Sequence, residues 1–234
     1  MFENFFEIFY DIFIVNKAYK LMLSGLGYTL IIAVFSVLLG ILLGALLAIC
    51  KVIPQKNIIA KIFNSIANIY ITIFRGTPVM VQLLLFYFGI FSHVMRGYDN
   101  KAIFVAVLVF GLNSAAYVAE IIRSGILSID KGQMEAGRSL GFTYSQTMMK
   151  IILPQAIKNI LPALGNEFIV MVKETSVAGF ITVFDLTRAA RSIVADYYNP
   201  FVPYFTLAVV YLIVVMIFTF FLNMFEKRLR KSDH

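Results

Sequence analysis

The sequence predicts an all-α fold for a polytopic membrane protein with about five transmembrane helices, and three observations lead to this prediction. Hydrophobic residues make up 60% of the 234 residues and the mean hydropathy is +0.86, whereas ordinary globular domains are about 45–50% apolar. Five apolar stretches are each long enough to cross a bilayer. Basic residues collect in the segments that would join these stretches on one side of the membrane.

The first 20 residues are predicted to form an amphipathic N-terminal segment that lies in the membrane surface. A cleavable signal peptide is not expected, because this segment carries acids where a signal peptide carries Lys or Arg. A disordered end is the alternative. The aromatic positions at helical spacing are Phe2, Phe5, Phe6, Phe9 and Phe13, and the acids on the other side are Glu3, Glu7 and Asp11.

A transmembrane domain is predicted over residues 21–225. Its spans are, in chain order, 21–49, 62–91, 102–122, 156–180 and 201–225. The fourth is the least regular, because polar residues interrupt it. Gly40 and Gly44 form a GxxxG pattern in the first span, which favours ordinary close packing between membrane helices.

The distribution of charge predicts the orientation of the chain. Basic residues follow the first span, fill an insert at about 128–154 after the third span, and end the chain in a tail at 226–234. With five spans these regions share one side, and the positive-inside rule places that side in the cytoplasm and the N-terminus outside. The net charge of +7 is thus explained by membrane topology, and no nucleic-acid partner is expected.

The insert is polar and charged although apolar spans surround it, so it must face water or another protein. Gly141 suits the left-handed residue that closes one helix, and Thr143 with Gln146 has the spacing of a capping box that opens the next. Pro154 is expected to stop the regular run. The insert is therefore predicted as a helix, a sharp corner and a second helix outside the bilayer.

Ionisable residues inside apolar spans are costly and mark candidate functional sites. Arg75 is followed by Gly76 and Pro78, which are expected to break the helix and free backbone groups beside a guanidinium that suits a carboxylate. The alternative is a structural arginine paired with another helix.

A second candidate is Glu167, with its neighbour Asn166. Pro162 and Gly165 precede it and are expected to weaken that helix. Glu167 could hold an ammonium group or could simply neutralise Arg75. Glu120 and Arg123, three residues apart, are predicted to form a structural ion pair.

Several classes of site have no motif in the sequence. There is no P-loop, no metal-binding cluster and no recognisable catalytic constellation, and the one cysteine, Cys50, allows no internal disulfide. The chain is not expected to be an enzyme or to bind a cofactor of its own.

The insert resembles a motif of the membrane subunits of ABC importers, in which Glu-Ala-Ala, three residues, Gly and a further nine residues are followed by Ile-x-Leu-Pro. The matching positions are Glu135, Ala136, Gly141, Ile151, Leu153 and Pro154. Gly137 stands where Ala is usual, and its small size still permits close packing against a partner. The resemblance implies that Glu135, Ala136, Gly137, Gly141, Leu153 and Pro154 couple the chain to an ATPase.

Within that group, residues 70–188 resemble permeases for polar amino acids, through RGTPVMVQLLLFYFG, the run that contains the insert, and PALGNEFIVMVKETS. The resemblance implies a type I importer transmembrane domain in a prokaryotic plasma membrane. It implies four kinds of partner: two ATPase subunits that hold ATP and Mg, a second permease that is identical or homologous, an external solute-binding protein, and the amino-acid substrate. It also implies substrate contacts at Arg75, Thr77, Asn166 and Glu167.

Three other functions compete with an importer subunit. A secondary transporter for a small polar solute would carry its own energy source and often shows inverted repeats, which are not visible. A membrane enzyme would need a catalytic constellation. A scaffold or an exporter component would differ in its partner on the outer face.

Overall fold

The computed structural model describes residues 4–55, 57–95 and 97–231, with no side chains described at 230 and 231. Within these ranges the regular structure is helical, which confirms the all-α prediction. The helices are α1 (Phe5–Phe9), α2 (Tyr19–Val52), α3 (Ile58–Gly76), α4 (Val79–Leu84), α5 (Phe91–Val94), α6 (Lys101–Leu127), α7 (Lys131–Ser139), α8 (Tyr144–Thr147), α9 (Leu153–Glu174), α10 (Leu186–Tyr197) and α11 (Phe201–Lys231). Wider π-helical turns continue α1, α4 and α8 over Tyr10–Val15, Leu85–Ile90 and Met148–Ile152, and a 3-10 helix, Thr175–Ile181, follows α9.

Four helices among the described residues are long and apolar enough to cross a membrane, namely Tyr19–Val52, Ile58–Gly76, Lys101–Leu127 and Phe201–Leu229, and Val79–Val94 is a shorter apolar helix. The predicted fourth span, 156–180, is not one of the four. It corresponds to α9 and the 3-10 helix, in which polar residues lower the hydropathy.

The predicted second span, 62–91, is two helices. Its backbone is extended at Thr77, with φ −122° and ψ 142°, and at Pro78, with ψ 133°. A proline disfavours helical geometry at the residue before it, so α3 ends at Gly76 and α4 begins at Val79. The predicted break beside Arg75 is therefore confirmed.

The stop predicted at Pro154 is wrong, and Pro162 and Gly165, which were expected to weaken their helix, do not interrupt it. Pro154 is the second residue of α9 and directly follows the π-helical turn Met148–Ile152, so helical backbone runs through it. Pro162 lies inside α9, which continues through it, since neighbouring helices in a membrane bundle can compensate for one lost hydrogen bond. A Cβ on Gly165 would collide with Leu222, so this glycine serves close packing on α11.

The chain divides into two compact units, and each is described by itself. The first comprises Met1–Ser36, Pro78–Phe110 and Ile169–Phe218. Its core joins the N-terminal segment to α10, because Ile12 and Phe13 are buried together with apolar residues of that helix. The predicted N-terminal helix is thus present and anchored on one side, with Phe6 on the exposed side. Phe2 and Glu3 lie outside the described residues, and the membrane-surface position of the segment stays a prediction.

The N-terminus of α10 packs on α2 in this unit. Asp185 caps α10 by accepting hydrogen bonds from the backbone N–H groups of Thr187 at 3.2 Å and Arg188 at 3.1 Å. The first N–H of the helix, that of Leu186, donates to Thr29 Oγ1 at 3.1 Å. Gly25 leaves room for this contact, since a Cβ there would be 2.7 Å from the Asp185 carbonyl oxygen.

The second unit comprises Val37–Thr77, Gly111–Phe168 and Thr219–His234. In it α2 packs closely on α6. A Cβ on Gly40 would be 2.7 Å from the Ser114 side chain, and one on Gly44 would be 2.7 Å from Val118. The GxxxG pattern therefore serves helix packing, as predicted.

The buried cap of α10 should make stability depend on pH. Burial raises the pKa of Asp185 to about 6 from 3.8. A carboxyl group with a raised folded-state pKa stabilises the fold below its unfolded pKa, and this contribution is lost as pH rises through about 6. Asp185→Asn still caps the helix and does not titrate. We therefore expect the difference in thermal midpoint, variant minus original chain, to increase between about pH 4 and about pH 7.5.

The matched control for this experiment is Asp130→Asn, the same substitution at the exposed cap of α7. A difference between Asp185→Asn and the original chain that stays constant over this pH range would contradict the prediction.

Candidate functional site: the insert and the Arg75 cavity

The first helix of the insert, α7, begins and ends at well-defined caps. Asp130 accepts a hydrogen bond from the Gly132 N–H at 2.7 Å. At the other end Gly141 is left-handed, with φ +86°. The N–H of Phe142 donates to the Gly137 carbonyl and that of Gly141 to the Arg138 carbonyl, each at 3.1 Å. This is the Schellman pattern that closes a helix, and it confirms the predicted conformation of Gly141.

The second helix of the insert opens with the predicted capping box. The Gln146 N–H donates to Thr143 Oγ1 at 3.2 Å, and the Thr143 N–H donates to Gln146 Oε1 at 2.8 Å. The corner between α7 and α8 is therefore determined by local hydrogen bonds, so it is defined without any contact to lipid.

The predicted coupling residues occupy different environments. Glu135, Ala136, Gly141 and Pro154 are exposed, and Leu153 is half-buried. Gly137 is buried within the insert, where a Cβ would be 2.5 Å from Thr147 Cγ2. Its small size is thus required by packing inside the chain itself.

Arg75 lies at the end of α3 beside an open cavity of about 450 Å³. Its guanidinium carbon is 5.2 Å from the centre of the Tyr117 ring, a distance suited to a cation–π contact. The lining residues are Arg75, Tyr117, Glu120, Ile121, Ser124, Gly125, Ser128, Asn159 and Ala163. The cavity therefore combines a cation, a carboxylate, hydroxyl groups and an amide.

Sequence reasoning missed the polar wall of this cavity. Tyr117, Glu120 and Ser124 recur every three or four residues and so share one face of α6. Ser128 follows directly after the end of α6 and accepts a hydrogen bond from Asn159 at its Oγ at 2.9 Å. The signal that could have revealed this wall was the recurrence of polar residues every three or four positions along an apolar span.

The other predicted substrate residues do not line this cavity. Glu167 is buried, 8% exposed, and accepts a hydrogen bond from Ser114 Oγ at 2.8 Å. Asn166 is exposed, and Thr77 Oγ1 donates to the Ile73 carbonyl at 2.8 Å. In the part of the chain that the structure describes, Arg75 and Glu167 form no ion pair with each other, and each has a different partner.

The pairing of Glu120 with Arg123 is confirmed, at 2.8 Å between Nη2 and Oε2. The structure adds a second cation, because Lys51 at the end of α2 pairs with the other oxygen of the same carboxylate. This cross-link between α2 and α6 was not predicted, since the two residues are 69 positions apart.

Comparisons with known proteins show which proteins the chain is similar to. The family model described as "binding-protein-dependent transport system inner membrane component" matches residues 36–231. The chain is 40% identical over 212 residues to the arginine transport system permease protein ArtQ of Bacillus subtilis, covering 91% of this chain and 94% of that protein. It is 41% identical over 208 residues to the putative glutamine transport system permease protein GlnP of Rickettsia felis, covering 89% and 92%.

Two solved structures of ABC transporters also match the chain. The crystal structure of an amino acid ABC transporter with histidines matches with a TM-score of 0.84 and 43% identity, over 92% of this chain and 96% of that chain. An inward-facing MetNI methionine ABC transporter matches with a TM-score of 0.75 over 90% and 96% of the two chains, and at 22% identity this likeness supports the fold alone.

The contact between Gly137 and Thr147 can be tested by adding and then removing a methyl group. Gly137→Ala gains about 1 kcal/mol of helix propensity, but an overpacked contact costs about 1–3 kcal/mol. We expect a net loss on the order of 1 kcal/mol, seen as faster hydrogen exchange in α7 and α8.

Thr147→Ser removes the colliding methyl group, so the double variant Gly137→Ala with Thr147→Ser should regain slow exchange. Equal exchange in Gly137→Ala and the original chain would show that the contact does not limit residue size at this position.

Proposed function

The chain belongs to the family of binding-protein-dependent transport system inner membrane components, and from this premise we propose that it transports polar amino acids. It is a permease subunit of an ABC importer rather than an enzyme. Family membership also decides against the secondary transporter. The substrate class is supported by the arginine and glutamine permeases, both about 40% identical over most of the chain.

One observation carries the proposal of a substrate site, namely the position of Arg75. The break between α3 and α4 puts its guanidinium at an open cavity. A cation beside a helix break suits a substrate carboxylate, because a planar guanidinium can donate two parallel hydrogen bonds. Thr77, the residue with extended backbone at the break, would also contact the carboxylate end of the substrate.

The ammonium group of the substrate would meet Glu167, with Asn166 beside it. An amino acid leaving water needs hosts of both charges, and the absence of a pair between Arg75 and Glu167 in the described chain supports two separate hosts. Glu167 would exchange its hydrogen bond from Ser114 for one from the substrate. Binding would therefore require a local rearrangement in which α9 or the Ser114 side chain moves.

Energy would enter through the insert. Glu135 and Ala136 are exposed on α7, and with Gly137, Gly141, Leu153 and Pro154 they would form the surface that docks on an ATPase subunit. Two such subunits would hold ATP and Mg, since the sequence has no P-loop of its own. A second permease subunit would complete the pathway.

The basic residues around the insert support a cytoplasmic position for it and for the C-terminal tail, and an outer position for the N-terminus in a prokaryotic plasma membrane. An external binding protein would then deliver substrate on the face opposite the insert. Labelling single cysteines at Asn4 and Glu226 with an impermeant reagent in intact cells tests this orientation.

The substrate role of Arg75 predicts a specific defect. A hydrogen bond to a charged group is worth about 1.5–3 kcal/mol, so Arg75→Met should lower amino-acid uptake per assembled complex by roughly 10- to 100-fold. ATP hydrolysis should still respond to the loaded binding protein, because that protein docks outside the membrane. The measurement is uptake into proteoliposomes that contain the complete importer.

The matched control is Lys61→Met, which removes an exposed cation from the same helix, α3, outside the cavity. It should transport normally. If Arg75→Met also transports normally, Arg75 is structural and the substrate site lies elsewhere.

The coupling role of the insert predicts that backbone strain at Gly141 separates hydrolysis from uptake. No atom lies within 4 Å of a Cβ built there, so Gly141→Ala acts only through its left-handed φ, at a cost of about 1–2 kcal/mol. We expect fewer substrate molecules transported per ATP. Gly141→Asn tolerates this conformation and should stay coupled; equal coupling in the two variants would refute the assignment.

A further inference from the structure

Two cavities adjoin where α2 and α6 end, and the importer function leaves both unexplained. The first is apolar, about 450 Å³, and is lined from Ala45 to Ile53 on the side of α2. The second, about 280 Å³, contains Lys51, Arg123 and Lys131 in its lining. They share the lining residues Val52, Ile126, Tyr144 and Met148, so they lie side by side, and together they are called the groove, with an apolar and a basic end.

Along α2, the apolar end of the groove comes first and the basic end lies at the end of the helix. The apolar lining begins at Ala45 and the helix ends at Val52, so this part of the groove extends about 10 Å along the helix. One leaflet of the hydrocarbon core is about 15 Å thick. The basic lining lies at the ends of both helices and at the start of α7, where a span meets the polar headgroups.

The basic end carries one net positive charge. Lys51 and Arg123 share the carboxylate of Glu120, and Asp130, which also lines this end, caps α7 through Gly132. Three cations against two carboxylates leave a charge of +1. A basic residue near an anionic membrane surface contributes about 1 kcal/mol, or roughly a fivefold preference for anionic over zwitterionic lipid.

The apolar end needs a cover. Ile49 and Ile53 at its lining are 53% and 47% exposed, and Met149 is 64% exposed. Tyr144 separates the two ends and donates a hydrogen bond from its hydroxyl to the Val52 carbonyl at 3.3 Å, which joins the insert to α2. An occupant of the groove would therefore touch both a membrane helix and the insert.

We propose that this groove binds one anionic phospholipid, with an acyl chain in the apolar end and the phosphate beside Lys131, Arg123 and Lys51. The occupant follows from the charge complementarity of the basic end, from the length of the apolar end and from their order along α2. A bound lipid would link the insert to the composition of the surrounding leaflet. The proposal requires only that the chain spans a membrane, so it stands independently of the substrate.

The chain contains no tryptophan, so a single reporter can be placed at the groove. Met149→Trp puts an indole at its exposed edge. The complete importer is reconstituted in nanodiscs of phosphatidylcholine mixed with phosphatidylglycerol, with bromine on the acyl chains of one lipid at a time. Quenching is corrected with the complex that lacks the reporter, and we expect brominated phosphatidylglycerol to be preferred about fivefold.

Charge variants in the reporter background then identify the basic end. Lys131→Gln lowers the net charge to zero, so the preference should fall to about one; high salt should lower it as well. Lys61→Gln, the matched control at an exposed position outside both cavities, should keep the preference. ATP hydrolysis that still responds to the binding protein shows that each complex is assembled.

Each remaining outcome overturns the proposal. Equal quenching by the two brominated lipids would mean that the groove meets bulk lipid without selecting a headgroup. Quenching by neither lipid would mean that a protein segment covers it. A preference that survives Lys131→Gln and high salt would place the selective site elsewhere.

Discussion

The carboxylate of Glu120 connects the polar features of the second unit. It pairs with Lys51 at the end of α2 and with Arg123 one turn further along α6, and it lines the Arg75 cavity. An uncompensated charge in an apolar span costs at least about 2.5 kcal/mol, so these pairings are a condition for placing a carboxylate here. They also hold together the two helix ends beside which the insert begins.

Close packing of small residues determines which polar groups meet. Gly40 lets α2 approach Ser114, whose hydroxyl donates to the buried Glu167. In the insert, Gly137 lets α7 approach Thr147, and this brings the Schellman end of one helix next to the capping box of the other. In both places the absence of a side chain is what allows a defined hydrogen-bonded arrangement nearby.

The prolines show why a residue type alone does not determine a helix break. Pro78 follows a residue with extended backbone, and the helix ends there. Pro154 and Pro162 lie in α9, which continues through both. A proline always removes one donor, but neighbouring packing determines whether the chain bends or tolerates the loss. In the proposed substrate site, Arg75 therefore lies at a broken helix, whereas Glu167 lies on a continuous one.

Local sequence was sufficient to predict the features that depend on nearby residues: the apolar helices, the corner at Gly141, the capping box at Thr143 and the break before Pro78. Their causes are hydropathy, backbone conformation and hydrogen bonds within a few positions, all of which can be judged from local spacing. Three other features became visible only in the folded chain: Lys51 pairs with Glu120, Glu167 bonds to Ser114 instead of Arg75, and α9 continues through its prolines. These outcomes depend on which helix faces lie together, and contacts between positions far apart in the chain leave no mark in its local pattern.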